Sequence, residues 1–198
     1  MYTKENIIKE SINLFSVKGY DAVSIRDIAK TVGIKGSSIY NHFESKEDLF
    51  NYILSNCSNY IEHSLRTLTK RNTFKENIDN ISDNLFLEES MQLFNFLLKD
   101  DYSVKLRRIL TIEQFKNKKA SELFNNLFID NILNIQRDLF KELIDEKIFI
   151  NIDPYILALK FYSPVFLLFY KDKNLSNQDI TILQQHILDF KHYYSMRG

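Results

Sequence analysis

SIRDIAKTVGIKGSSIYNHFESK, residues 24–46, decides the fold. Ile25, Ile28 and Ala29 share one helical face, at i, i+3 and i+4. Gly33 sits where a helix would end in a left-handed conformation, which costs Gly least. Ile34 and Ile39 supply apolar groups beyond that turn. A small residue at 29 lets two helices cross closely, Gly33 makes the turn, and Ile39 fills the wedge between them. This is the helix-turn-helix arrangement, in which the second helix lies in the major groove of DNA.

The rest of the chain is consistent with that motif. Its 198 residues suffice for one sizeable core or two small ones, and 44% of them are hydrophobic, as in a soluble globular protein. Lys+Arg and Asp+Glu both number 26, so any nucleic-acid surface must be local. One Cys excludes an intramolecular disulfide and predicts a reducing, cytoplasmic location. No apolar N-terminal run predicts a secretory signal, and the most apolar stretch, Tyr162 to Tyr170, is too short to span a membrane. With four Gly, two Pro and no alternating runs, the fold class is all-α.

The first helix is expected from Lys4 to Lys18, capped by Thr3 and ended by Gly19. The second starts after Ser24, where Asp27 completes a capping box. The third covers Gly36 to Phe43. The fourth starts at Ser45, with Asp48 at its third position, and reaches Thr69. Thr73 with Glu76 should restart a helix that runs through Ile81 and Leu85, giving either one bent helix or two, with the join near Leu87 to Ser90. Asp100-Asp101 is a break. Further helices are expected over Tyr102–Lys118, Ala120–Lys147 and, from the Asp153-Pro154 start, to Lys171 with a kink at Pro164. Ser176 and Asp179 cap the last, which ends near Ser195. The count is about nine or ten helices.

Within the opening stretch, Lys35, Ser37 and Asn41 are candidates for base-edge contacts on the third helix, with Ser38 beside them and Gly36 admitting the backbone to the groove floor. Tyr40 and His42 carry polar tips on rigid rings, suited to flanking phosphates. Lys46 and Ser24, each at a helix start, are further phosphate candidates, and Arg26 can reach the adjacent DNA backbone. Four basic residues against two acidic ones give residues 24–46 a local net charge of +2. Taken singly, His42 and Tyr40 also fit plain surface and core roles.

Phe15, Gly19-Tyr20, Ser24-Ile25, Ile28-Ala29, Gly33-Ile34, Gly36, Ile39-Tyr40, His42-Phe43, Ser45-Lys46-Glu47 and Leu49 together resemble the DNA-binding domain of TetR/AcrR-type transcriptional regulators. The resemblance covers the first quarter of the chain without gaps. It implies a three-helix helix-turn-helix DNA-binding domain at residues 1–45 and a helical ligand-sensing and dimerisation domain at 46–198. It also implies a homodimeric repressor that binds a palindromic double-stranded DNA operator and is released by a small-molecule effector. Phe86, Phe94, Phe96, Phe115, Phe124 and Phe128 are candidates to line the effector pocket, though aromatics at helical spacing also simply fill cores. Tyr155, Leu159, Tyr162, Phe166 and Phe169, with Ile180, Leu183, Ile187 and Phe190, form two apolar faces suited to a four-helix dimer bundle. Either face could instead cover its own subunit.

Other classes fit less well. His42, His63, His186 and His192 are scattered, Cys57 has no base nearby in sequence, and no phosphate-cradling loop or metal-ligand cluster occurs. No enzymatic activity, cofactor, metal or membrane partner is expected. A helical partner-binding module with a degenerate motif would retard no DNA, and an activator remains compatible with the sequence.

Overall fold

Short polar side chains start most of these helices. The computed structural model describes residues 4–70, 81–171 and 175–196, and every regular element among them is helical. In order they are α1 Lys4–Lys18, α2 Ile25–Val32, α3 Gly36–Ile39, α4 Lys46–Lys70, α5 Asp83–Lys99, α6 Asp101–Glu113, α7 Lys118–Asn125, α8 Asn131–Asp145, α9 Pro154–Leu168 and α10 Asn177–Tyr194. A π-helical turn, Asn126–Asp130, connects α7 to α8.

Ser24 and Asp27 form the expected capping box at α2, and Ser176 and Asp179 form one at α10. Ser45 Oγ accepts from the Asp48 amide at 3.0 Å at the start of α4. Asp153 accepts from the Tyr155 and Ile156 amides ahead of Pro154, which needs no donor at the first helical position. The caps expected from Thr3 and from Thr73 with Glu76 lie outside the described residues.

Several boundaries differ from expectation. α3 ends at Ile39, and Tyr40 to His42 form a turn in which the His42 and Phe43 amides both donate to the Ile39 carbonyl. Ser82 caps α5, which runs unbroken through residues 87–90 because Phe86, Ser90, Met91 and Phe94 keep one buried face. α6 stops at Glu113, and Asn117 starts α7 by accepting from the Ala120 amide. α9 continues through Pro164 to Leu168.

The chain forms two compact units, Met1–His63 with Asp101–Phe128, and Ser64–Asp100 with Ile129–Gly198. The division expected after residue 45 falls inside the first of these units. α6 and α7 belong with the helix-turn-helix, and α4 contributes to both units. In the first unit α1 packs on α2 and α6. Phe15 meets Phe50 edge-on at 5.4 Å between ring centroids, and Ile28, Ile39, Leu49 and Leu110 are fully buried. In the second, α8 packs on α9 and α10 on α5. Phe86, Phe94, Phe140, Phe149, Phe161 and Phe190 form one aromatic cluster, with Phe140 against Phe161 at 5.4 Å. Truncating such a buried ring costs about 3–5 kcal/mol, so this cluster is structural. Two backbone hydrogen bonds, Ile150 N–H to Tyr194 O and Met196 N–H to Ile148 O, fasten the end of α10.

Candidate nucleic-acid interface and ligand cavity

Gly33 carries φ 79° and ψ 33°, the left-handed conformation expected at the turn. Its amide and that of Ile34 both donate to the Ala29 carbonyl at 2.9 Å, closing α2. Ala29 is buried where α2 meets α3, and Ile39 and Phe43 anchor α3 from beneath. With those two side chains turned inward, Lys35, Ser37, Tyr40, Asn41 and His42 are exposed, and Gly36 and Ser38 are half-exposed between them. A Cβ at Gly36 would meet nothing within 4 Å, so packing does not demand Gly there. An open surface of small polar groups flanked by Tyr40 is what close approach to base edges requires. Arg26 is also exposed and, like Lys35, has no ion-pair partner among the described residues.

Two expected phosphate contacts are committed internally. The Ser24 hydroxyl donates to Asp27 Oδ2 at 2.5 Å and accepts from the Asp27 amide at 3.1 Å. The hydroxyl's hydrogen bond, and then that of the Ser24 amide to Oδ2 at 2.9 Å, hold the Asp27 carboxyl below its ordinary pKa. Lys46 Nζ donates to the carbonyls of Tyr20 and Val23, each at 2.9 Å, and stands 4.0 Å from the centre of the Tyr20 ring. Its ammonium therefore braces the segment ahead of α2. Sequence reading missed Glu113. It is buried near the end of α6, accepts from the Tyr20 amide at 2.8 Å, and so ties α6 to the same segment.

The six candidate pocket phenylalanines do not come together. Phe115 is 86% exposed, because α6 ends before it. Phe124 and Phe128 pack on each other in the first unit, Phe86 is fully buried in the aromatic cluster, and Phe96 is half-buried. Phe94 does line a cavity of about 360 Å³ in the second unit, together with Phe161, Leu68, Glu89 and Gln136. Gln136 is 2% exposed, and neither of its amide atoms has a hydrogen-bond partner among the described residues. Its place on the apolar stripe of α8, with Ile132, Leu133, Phe140 and Leu143, is the sequence signal that marks it.

The candidate dimer faces are also redistributed. Tyr162, Phe169, Leu183, Ile187 and Phe190 are buried within the chain, so they cannot form a free face. Tyr155 and Leu159 remain exposed, as do Ile156, Leu167 and Tyr170 around them, and Phe166 and Ile180 are half-buried. On α10 the exposed apolar groups are Ile182 and Tyr193, which border a shallow hollow with His186 and Asp189.

The remaining reactive groups have structural surroundings. Burial pushes the Cys57 thiol up to about 12, leaving it protonated. His186 meets the Phe161 carbonyl at 3.1 Å, and His192 meets Asp83 at 2.8 Å. Among the described residues no cluster of His, Cys, Asp or Glu could hold a metal ion, and no helix is long and apolar enough to cross a membrane.

Residues 7–53 match the family model described as bacterial regulatory proteins, tetR family. The negative transcriptional regulator IcaR of the biofilm operon icaADBC from Staphylococcus epidermidis is 34% identical over 142 residues, 71% of this chain and 67% of that one. A protein from Mesorhizobium loti assigned to the TetR family is similar in structure, with a TM-score of 0.66 at 20% identity over 97% of this chain and 96% of that one. AibR, solved with isovaleryl coenzyme A and operator DNA, gives a TM-score of 0.64 at 16% identity over 92% and 95% of the two chains.

Proposed function

The chain belongs to the tetR family of bacterial regulatory proteins, and on that premise we propose that it is a cytoplasmic repressor that binds a palindromic operator as a homodimer and leaves it when a small molecule enters the second unit. The observation that carries the reading is the exposed row Lys35, Ser37 and Asn41 over the buried Ile39 and Phe43. One copy of so short a helix touches few bases. Two copies related by a two-fold axis read half-sites one helical turn or more apart, which supplies the missing specificity. The similarity to IcaR, a negative regulator, favours repression. AibR, with an acyl thioester and operator bound, provides the precedent for coupling the two ligands.

The exposed residues of α9 and α10 support dimerisation. α9 is predominantly apolar, and Ile156, Leu159 and Leu167 on it, with Tyr170 just past its end, are exposed. Together with Ile182 and Tyr193 they are the face expected to meet a second copy. The route for release starts at α4, which contributes to both units. A displacement of its first turn would carry the Tyr20 and Val23 carbonyls through Lys46, and with them α2 and α3. Moving each α3 changes the spacing between the two recognition elements.

Anisotropy titration of DNA from the chain's own promoter region tests this. Saturable binding by two protomers, weakened uniformly by Tyr40→Ala and re-ordered in sequence preference by Ser37→Ala or Asn41→Ala, is expected. No binding to that DNA at low salt would overturn the reading.

A further inference from the structure

Three features of the second-unit cavity describe its occupant. First, the charged side chains of its described lining have one sign. Glu89, Asp138 and Glu142 line it, and among the described lining residues there is no Lys, Arg or His. Asp138 is exposed and directs its carboxylate to Arg137 Nη2 at 2.7 Å, whereas Glu89 is half-buried. Second, the Gln136 amide is 98% removed from solvent at the cavity wall with both polar atoms unpartnered. Leaving such an amide unsatisfied is costly, and a ligand carrying a polar head would recover that cost. Third, Phe94 and Phe161, with ring centroids 5.3 Å apart, and Leu68, Leu93 and Leu139 line the remainder. Ring faces attract cations as well as apolar bodies.

We propose that this cavity binds an organic cation: a flat or branched apolar body carrying one N–H-bearing cationic head that meets Glu89 and Gln136 Oε1. The assignment rests on the reading of this unit as the effector site and names the effector's chemical class. A carboxylate or phosphate head would have to shed its water beside Glu89 with no opposite charge in the described lining, which disfavours acidic ligands. The volume matches ligands at the small end of the usual range of roughly 300–1,000 Å³.

Isothermal titration of the full-length protein without DNA decides it, using three probes with one body: naphthalene-2-carboximidamide as the cation, 2-naphthamide as the neutral form and 2-naphthoate as the anion. The cation should bind at least about tenfold more tightly than naphthoate, the effect of one partly buried charge pair. Glu89→Gln should remove most of that advantage. Gln136→Leu, close in volume and free of the orphaned amide, should preserve thermal stability yet weaken the amidine and the amide several-fold. Equal or tighter binding of naphthoate, cation affinity unchanged in both variants, or no heat from the cation at millimolar concentration would each overturn the proposal. Promoter DNA is examined separately with the same probe. If the cation binds and DNA retention is unchanged, the ligand class stands and release by this effector falls. If the protein binds no DNA at all, calorimetry still decides the class.

Discussion

Replacing Lys46 with Met separates two roles for the same side chain. Met keeps the length and apolar stem and removes the ammonium. The wild-type ammonium holds two carbonyls at 2.9 Å and lies over Tyr20 at 4.0 Å. A hydrogen bond to a charged group contributes about 1.5–3 kcal/mol when buried, and a cation over an aromatic ring about 0.5–1 kcal/mol at an exposed site. Lys46 is only half-buried, so water replaces part of each interaction. The expected loss is about 2–3 kcal/mol, localised to the first unit. Urea unfolding followed by circular dichroism reads it directly. The DNA side is read from the dependence of log K on log salt. If Lys46 contacted a phosphate, its removal would flatten that slope by about 0.9 per subunit. The structure predicts an unchanged slope once the protein is folded. Stability within about 0.5 kcal/mol of wild type, together with a flattened slope, would refute the internal-brace assignment and restore the phosphate contact read from sequence.

Gly36→Ala should fold as well as wild type, because its Cβ meets open space, and should gain up to about 0.5–1 kcal/mol from helix propensity; operator affinity should nonetheless fall, since the methyl would stand toward the groove. Unchanged affinity in anisotropy would show that the backbone does not approach DNA there. Gly19→Ala should destabilise by at least about 1–2 kcal/mol in urea, since Gly19 has φ +77° and an added Cβ would lie 2.8 Å from Ile112 Cγ2 and 2.9 Å from Glu113 Oε1. Acid should loosen the start of α10. Lys171, and then the Ser176 amide and hydroxyl, hold the Asp179 carboxyl down at about 2. A depressed folded-state value contributes stability that is present above the ordinary carboxylate value of about 3.9 and is lost as pH falls toward 2. Faster amide exchange at Ser176 between pH 4 and pH 2, absent in Asp179→Asn, is the expected signature.

Local chemistry was legible in the sequence, and long-range geometry was not. Ser24 with Asp27, Gly33, Asp153-Pro154 and Ser176 with Asp179 act through neighbours within four residues, so their spacing alone predicts the caps and the turn. Lys46 looked like a helix-start cation because the carbonyls it meets lie 26 and 23 residues away. Glu113 was invisible for the same reason, being 93 residues from Tyr20. α9 is so largely apolar, with only Lys160 and Ser163 interrupting it, that Tyr162 and Phe169 could not be told from Ile156 and Leu167. The phenylalanines misled because a ring has the same period whether it fills a core or lines a cavity. Gln136, a polar residue in an apolar stripe, was the better marker.

The most direct test of the central claim is a footprint of the purified full-length protein on its own promoter region. The account predicts protection of two symmetry-related half-sites, lost together when Ser37 and Asn41 are both replaced by Ala while the fold and oligomeric state persist. Protection that is absent, or that survives those two substitutions with its sequence boundaries unchanged, would contradict it.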